Sequence, residues 1–161
     1  MAKQAQFGSS SEHHERQAQR SSTSGRGTAP PASVAPMRPR VVVVNDAAAV
    51  LDLYRDMLQE LDYEPVVMAT VAVETDRIRE ADPDAVVLDL TVGLQTEYGV
   101  RMAQELRADE RYRSIPIVVA TANADALNGA RKTLKDIGVP ILLKPFTLEE
   151  LAASLAGHRG N

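Results

Sequence analysis

Five short apolar runs punctuate the chain between residues 41 and 143, and the stretches between them repeat at three and four. The runs are "VVVV" (41–44), "PVVMA" (65–69), "AVVLDL" (85–90), "IPIVVA" (115–120) and "PILL" (140–143), all of strand length and rich in β-branched side chains. Val50, Leu53, Tyr54, Met57, Leu58 and Leu61 recur at helical spacing, and so do Leu127, Ala130, Leu134 and Ile137. Leu148, Leu151, Ala152 and Leu155 repeat the pattern near the end, whereas a second helix near 72–81 rests on Val73, Ile78 and Ala81 alone. Strands alternating with helices predict an α/β fold: a doubly wound, five-stranded parallel sheet with five helices covering both faces. Ligands of such sheets bind in the crevice beyond the carboxyl ends of the strands. The polar residues just past each run should therefore carry the chemistry.

The 161 residues, 44% of them hydrophobic, suffice for one domain with an ordinary core. Residues 1–38 are rich in Ser, Gln, Gly, Ala and Pro without apolar period and read as a disordered tail, followed by a domain over 39–157 and a short tail over 158–161. "SEHHER" in the first tail offers adjacent His13 and His14, too few ligands for a metal site. No apolar run approaches the roughly 20 residues of a membrane helix, and residues 1–40 lack the apolar core of a secretory signal. The expectation is a cytoplasmic protein without membrane attachment. The absence of cysteine excludes disulfides and thiolate metal sites.

Charge is unevenly spread. Residues 1–40 hold six Lys/Arg and two Glu, a balance of +4, and the other 121 residues hold twelve Lys/Arg and twenty Asp/Glu, a balance of −8. An acidic domain argues against a nucleic-acid surface. Two Phe, four Tyr and no Trp leave little for stacking nucleobases.

At the strand ends stand Asn45 and Asp46, Asp89, Thr121 and Lys144, with only Thr70 after the second run. Neighbouring carboxylates repel unless a cation sits between them. Oxygen ligands with retained water suit Mg²⁺, which takes one or two carboxylates together with phosphate oxygens. An ammonium and a hydroxyl across the crevice can hold further phosphoryl oxygens, and a carboxylate can act as nucleophile to form an acyl phosphate. Each residue also has a plain structural reading. Asp46 is placed to cap the first helix, Thr121 to cap the fourth, and Lys144 to lie in a solvated loop. Asp89, inside an apolar run, needs a partner or a metal.

The motifs "VVVVND", "PDAVVLDL", "IPIVVATA" and "ILLKPF", with "TLEEL" opening the last helix, make residues 40–157 resemble a receiver domain of the bacterial response-regulator family. The resemblance implies a flavodoxin-like fold with strand order 2-1-3-4-5. It implies Asp89 as phosphoacceptor, with Mg²⁺ held by Asp46, Asp89 and the backbone carbonyl of Thr91, and by Asn45 through water. It makes Thr121 the switch hydroxyl and Lys144 the cation that pairs with the phosphoryl group, and it implies a cis Lys144–Pro145 bond. Thr91 and Asn123 take the two positions that tune phosphoryl lifetime, and neither is an acid that would orient water, which predicts slow self-hydrolysis.

Three departures stand out. Asn45 replaces an acid, the loop "LTVGLQTEYG" after Asp89 lacks the usual Pro-Gly and is about two residues longer, and Ile141 stands where an aromatic switch residue is usual. The resulting expectation is a single-domain response regulator, not an enzyme. It would take its phosphoryl group from a sensor histidine kinase or phosphotransfer protein and signal to a downstream protein target by contact. A phosphorylation-dependent homodimer belongs to the same expectation, and a DNA-binding domain does not. The alternative is a pseudo-receiver that docks without phosphorylation, to which Asn45 and Ile141 lean. A haloacid-dehalogenase-type hydrolase wants a second Asp two residues after the nucleophile, where Thr91 stands, and "NDAAAV" lacks the glycine of a dinucleotide-binding turn.

Overall fold

A computed structural model describes residues 37–69 and 73–157. Most of the N-terminal tail, including His13 and His14, lies outside the described residues, as do Thr70 and the tail over 158–161. The elements run β1 (Arg40–Asn45), α1 (Ala48–Glu60), β2 (Glu64–Ala69), α2 (Thr75–Glu80), β3 (Ala85–Asp89), α3 (Tyr98–Ala108), β4 (Ile117–Thr121), α4 (Ala124–Asp136), β5 (Ile141–Leu143) and α5 (Leu148–Ala156). The strands form one parallel sheet in the order β2-β1-β3-β4-β5, the flavodoxin-like arrangement that the family resemblance implies.

Val41 to Val44 are at most 1% exposed, because the sheet has apolar helices on both faces. Burying each such side chain contributes about 1.5–3 kcal/mol, which fixes β1 between its neighbours β2 and β3. Val41 and Val43 pack with Leu51, Tyr54 and Leu58 of α1 and Leu151 and Leu155 of α5. Val42 and Val44 face the other layer, with Ile78 of α2, Leu106 of α3 and Leu127 and Leu134 of α4.

Two helices differ from the pattern read along the chain. In α1 the buried stripe is Leu51, Tyr54 and Leu58, while Leu53 is 56% exposed. A chain apolar at Val50, Leu51, Leu53 and Tyr54 permits several stripes, and contact with β1 selects one. The second helix is shorter than 72–81. Val73 reaches the core from an extended segment, Glu74 is the extended N-cap, and Asp82 at φ 48° turns the chain away after Ala81. At the other end, "TLEEL" builds a capping box: Thr147 Oγ1 accepts from Glu150 N at 3.2 Å, and Thr147 N donates to Glu150 Oε2 at 2.7 Å. Among the described residues no helix is long and apolar enough to cross a membrane.

Candidate functional site

The parallel register brings the strand ends level. Asn45 lies beside Ala69, Asp89 beside Ala120 and Thr121 beside Leu143, with Lys144 one residue further. Strand alternation then sorts them by face. Asn45 and Asp89 follow Val43 and Val87 onto the side of α1 and α5, whereas Thr121 follows Ile117 and Val119 onto the side of α3 and α4.

Three donors meet on the Asp89 carboxylate. Lys144 Nζ donates to Oδ2 at 2.6 Å, and the two side chains are only 20% and 13% exposed. Asn45 Nδ2 donates to the same oxygen at 2.5 Å, and Thr91 N donates to Oδ1 at 3.2 Å. A carboxylate this sheltered requires such partners, since removing one leaves a poorly solvated charge. The buried aspartate in an apolar run is thereby accounted for.

Asp46 does not cap α1. The N-cap is Ala47, which has no side-chain cap, and Asn45 Oδ1 accepts from Ala47 N at 2.8 Å. Asp46 is exposed and accepts from Gly93 N through Oδ2 at 2.8 Å, which ties the long loop after β3 back across the strand ends. That loop is built on a reciprocal backbone pair, Val92 N to Gln95 O at 3.2 Å and Gln95 N to Val92 O at 3.0 Å. Gly93 at φ 58° supplies the first turn residue that a two-residue hairpin of the II′ kind requires.

Thr121 is 1% exposed, and its Oγ1 accepts from Asn123 N at 3.0 Å; among the described residues no hydrogen bond joins it to Asp89. It does not cap α4. Asn123 does, accepting from Ala126 N through Oδ1 at 3.0 Å. Ile141 is half-buried against the core on the α3 and α4 side, and Leu143 of the same strand is exposed. The Lys144–Pro145 bond is cis.

Two hydroxyls near the crevice are buried without a hydrogen-bond partner, Thr91 Oγ1 and Tyr54 Oη. Burial, and then the negative charge of Asp89, push the Tyr54 phenol above its ordinary range. Its ring packs against Phe146, just past the cis bond, with centroids 5.6 Å apart. The sequence pattern marks Tyr54 only as an apolar helical position and marks neither Gly93 nor Gly99. Tyr54 hides in an apolar stripe, and the signal for the glycines was their place in the loop "TVGLQTEYG".

The ligand atoms on offer are all hard oxygens. Asp46 has Oδ1 free of the Gly93 contact, Asp89 retains capacity on Oδ1, and the Thr91 carbonyl follows two residues after Asp89. Among the described residues no three His, Cys, Asp or Glu side chains cluster. This set does not make an all-protein cage, and it fits a cation that keeps waters and takes phosphoryl oxygens, as Mg²⁺ does.

Residues 41–156 match the family model of the response regulator receiver domain. The chain belongs to that family. It is 26% identical over 119 residues to the chemotaxis protein CheY1 of Helicobacter pylori, covering 72% of this chain and 93% of that one. It is 31% identical over 120 residues to the DNA-binding response regulator MtrA of Mycobacterium tuberculosis, covering 73% of this chain and about half of that one, 49%. Among solved structures, the receiver domain of the sensor histidine kinase PA1611 from Pseudomonas aeruginosa superposes with a TM-score of 0.60 at 28% identity, covering 77% of this chain and 99% of that one. That structure holds a magnesium ion in its active-site cleft. This receiver domain is thus a module of two-component signalling, a family whose members work with histidine kinases and downstream targets.

Proposed function

We propose that this receiver domain accepts a phosphoryl group on Asp89 from a histidine kinase or a phosphotransfer protein and passes the signal on by protein contact. The observation that carries the reading is the 2.6 Å pair of Lys144 and Asp89 in the crevice where the strand ends meet. An oxygen of Asp89 attacks phosphorus, a P–O bond forms, and the bond to the donor's leaving nitrogen breaks. Lys144 moves from the carboxylate to a phosphoryl oxygen, keeping the ammonium paired throughout. Asp46, Asp89 and the Thr91 carbonyl would hold Mg²⁺, with the Asn45 amide kept on the Asp89 carboxylate beside it. When bound, the cation offsets the charge of the phosphoryl oxygens.

Thr121 is the element that reports the event. Its hydroxyl is bound to Asn123 N at the start of α4, so turning it toward a phosphoryl oxygen releases that contact and frees the end of the helix. Ile141 gives no aromatic rotation, and the response runs through Thr121 and α4.

Incubation with Mg²⁺ and acetyl phosphate should add one phosphoryl group by intact mass, and Asp89→Asn should abolish it. A folded wild-type protein that gains no mass with metal present would overturn the proposal. It would favour the second reading, a docking module that works unphosphorylated, for which the direct Asn45 to Asp89 hydrogen bond is the supporting observation.

A further inference from the structure

We infer that Asn45 is a positioning residue whose amide clamps the Asp89 carboxylate, so that the resting site is complete without a divalent cation. The inference deepens the phosphoacceptor reading of Asp89 and rests on it for its consequence in signalling.

Both ends of the amide are committed. Nδ2 donates to Asp89 Oδ2 at 2.5 Å, and Oδ1 accepts from Ala47 N at 2.8 Å. Flipping the amide would set its oxygen against a carboxylate oxygen and its NH₂ against an N–H, so the neighbours fix the orientation. Asn45 is 2% exposed, which removes water as a substitute partner. With Lys144 on the same oxygen and Thr91 N on the other, three donors fill most of the roughly four acceptor positions of the carboxylate.

The choice of amide over acid decides how the site is neutralised. A carboxylate at position 45 in the same rotamer would place two negative oxygens at the 2.5 Å now spanned by a hydrogen bond. Such a pair is tolerable only with a cation or a shared proton between its members. The amide turns that repulsion into attraction, and Asp89 and Lys144 alone balance each other's charge. A divalent cation approaching the other oxygen, Oδ1, therefore meets a carboxylate already partnered by the amide and Lys144. It gains less there than it would beside a second acid at position 45.

Thermal midpoints in EDTA and in saturating Mg²⁺ test this without any phosphoryl transfer. Wild type should differ between the two by less than about 2 °C, since a weak ligand adds little stability. Asn45→Asp should melt roughly 5 °C or more lower in EDTA and recover in Mg²⁺. Should Asn45→Asp fail to fold in either condition, Asn45→Ala carries the test. It adds no charge, and its midpoint in EDTA should fall by roughly 3 °C or more. The inference is overturned if Asn45→Asp melts like wild type in EDTA, if wild type gains as much from Mg²⁺ as that variant does, or if Asn45→Ala leaves the midpoint unchanged. A protein that takes no phosphoryl group from acetyl phosphate still passes or fails here independently, so the clamp and the phosphoacceptor role can fall separately.

Discussion

Gly99 lies so close beneath Asp89 that a Cβ built on it would stand 2.6 Å from the Asp89 carbonyl oxygen and 2.9 Å from Leu90 Cα. Gly99 N donates to Leu90 O at 3.1 Å, which presses the first turn of α3 onto the end of β3. The contact is with backbone, so no side-chain rotation can relieve it. Gly99→Ala should cost roughly 1–3 kcal/mol in urea unfolding and should slow labelling by acetyl phosphate as the end of β3 shifts. Wild-type stability would mean that α3 swings out freely.

A second anchor is Arg107, which holds the far end of the same helix. Its Nη1 donates to the carbonyls of Ile115 at 2.8 Å and Arg113 at 3.1 Å, and its Nε donates to Ile137 O at 3.3 Å past the end of α4. Burial holds this guanidinium below its ordinary pKa, and among the described residues no carboxylate pairs with it. Arg107→Met keeps the apolar stem and strands these carbonyls. It should lose about 1–3 kcal/mol in denaturant unfolding. Hydrogen exchange should rise first in residues 109–116 and at the end of α4.

On the proposed phosphoacceptor role of Asp89, phosphoryl lifetime should follow from Asn123 and Thr91, whose side chains are occupied or neutral. Asn123 Oδ1 is engaged by Ala126 N, and Thr91 Oγ1 is buried, so neither supplies a base for an attacking water. Purified phosphorylated protein should therefore lose its added mass over minutes or longer in Mg²⁺. Decay within seconds would show that another group activates the water. Asn123→Ala should also cost about 1 kcal/mol through the lost cap.

The orphaned Tyr54 hydroxyl has a stability signature. Tyr54→Phe removes a buried polar atom without breaking a bond, so stability near pH 7 should stay equal or rise by up to about 1 kcal/mol. At alkaline pH the sign is fixed by the raised phenol pKa. The unfolded chain ionises near the ordinary value of about 10 while the folded chain does not, so stability is whole below that pH and declines above it. Tyr98, pushed up to about 12 chiefly by burial, declines in the same sense across that interval. Melting curves from pH 9 to 12 should fall less steeply in Tyr54→Phe, with Tyr98 responsible for part of what remains. Parallel curves would mean that the Tyr54 phenol ionises equally in both states.

Much of this protein could be read along the chain because its information is local. Valine runs specify strands, periods of three and four specify helices, and polar residues past apolar runs mark the crevice of a parallel sheet. Asn45, Asp46, Asp89, Thr121 and Lys144 all sit at that edge in the folded protein. What the tertiary structure alone decided is which of them touch. The meeting of Asn45 with Asp89 spans 44 residues of chain, and that of Asp46 with Gly93 spans 47, so both depend on strand register and on the path of one loop. The stripe of α1 was likewise open until β1 selected Leu51, Tyr54 and Leu58. Periodicity states which face of an element is apolar, and only packed neighbours state where its polar atoms find partners. That is why Asn45, whose amide could equally have bonded a turn or a water, is resolved by the fold into a donor on Asp89.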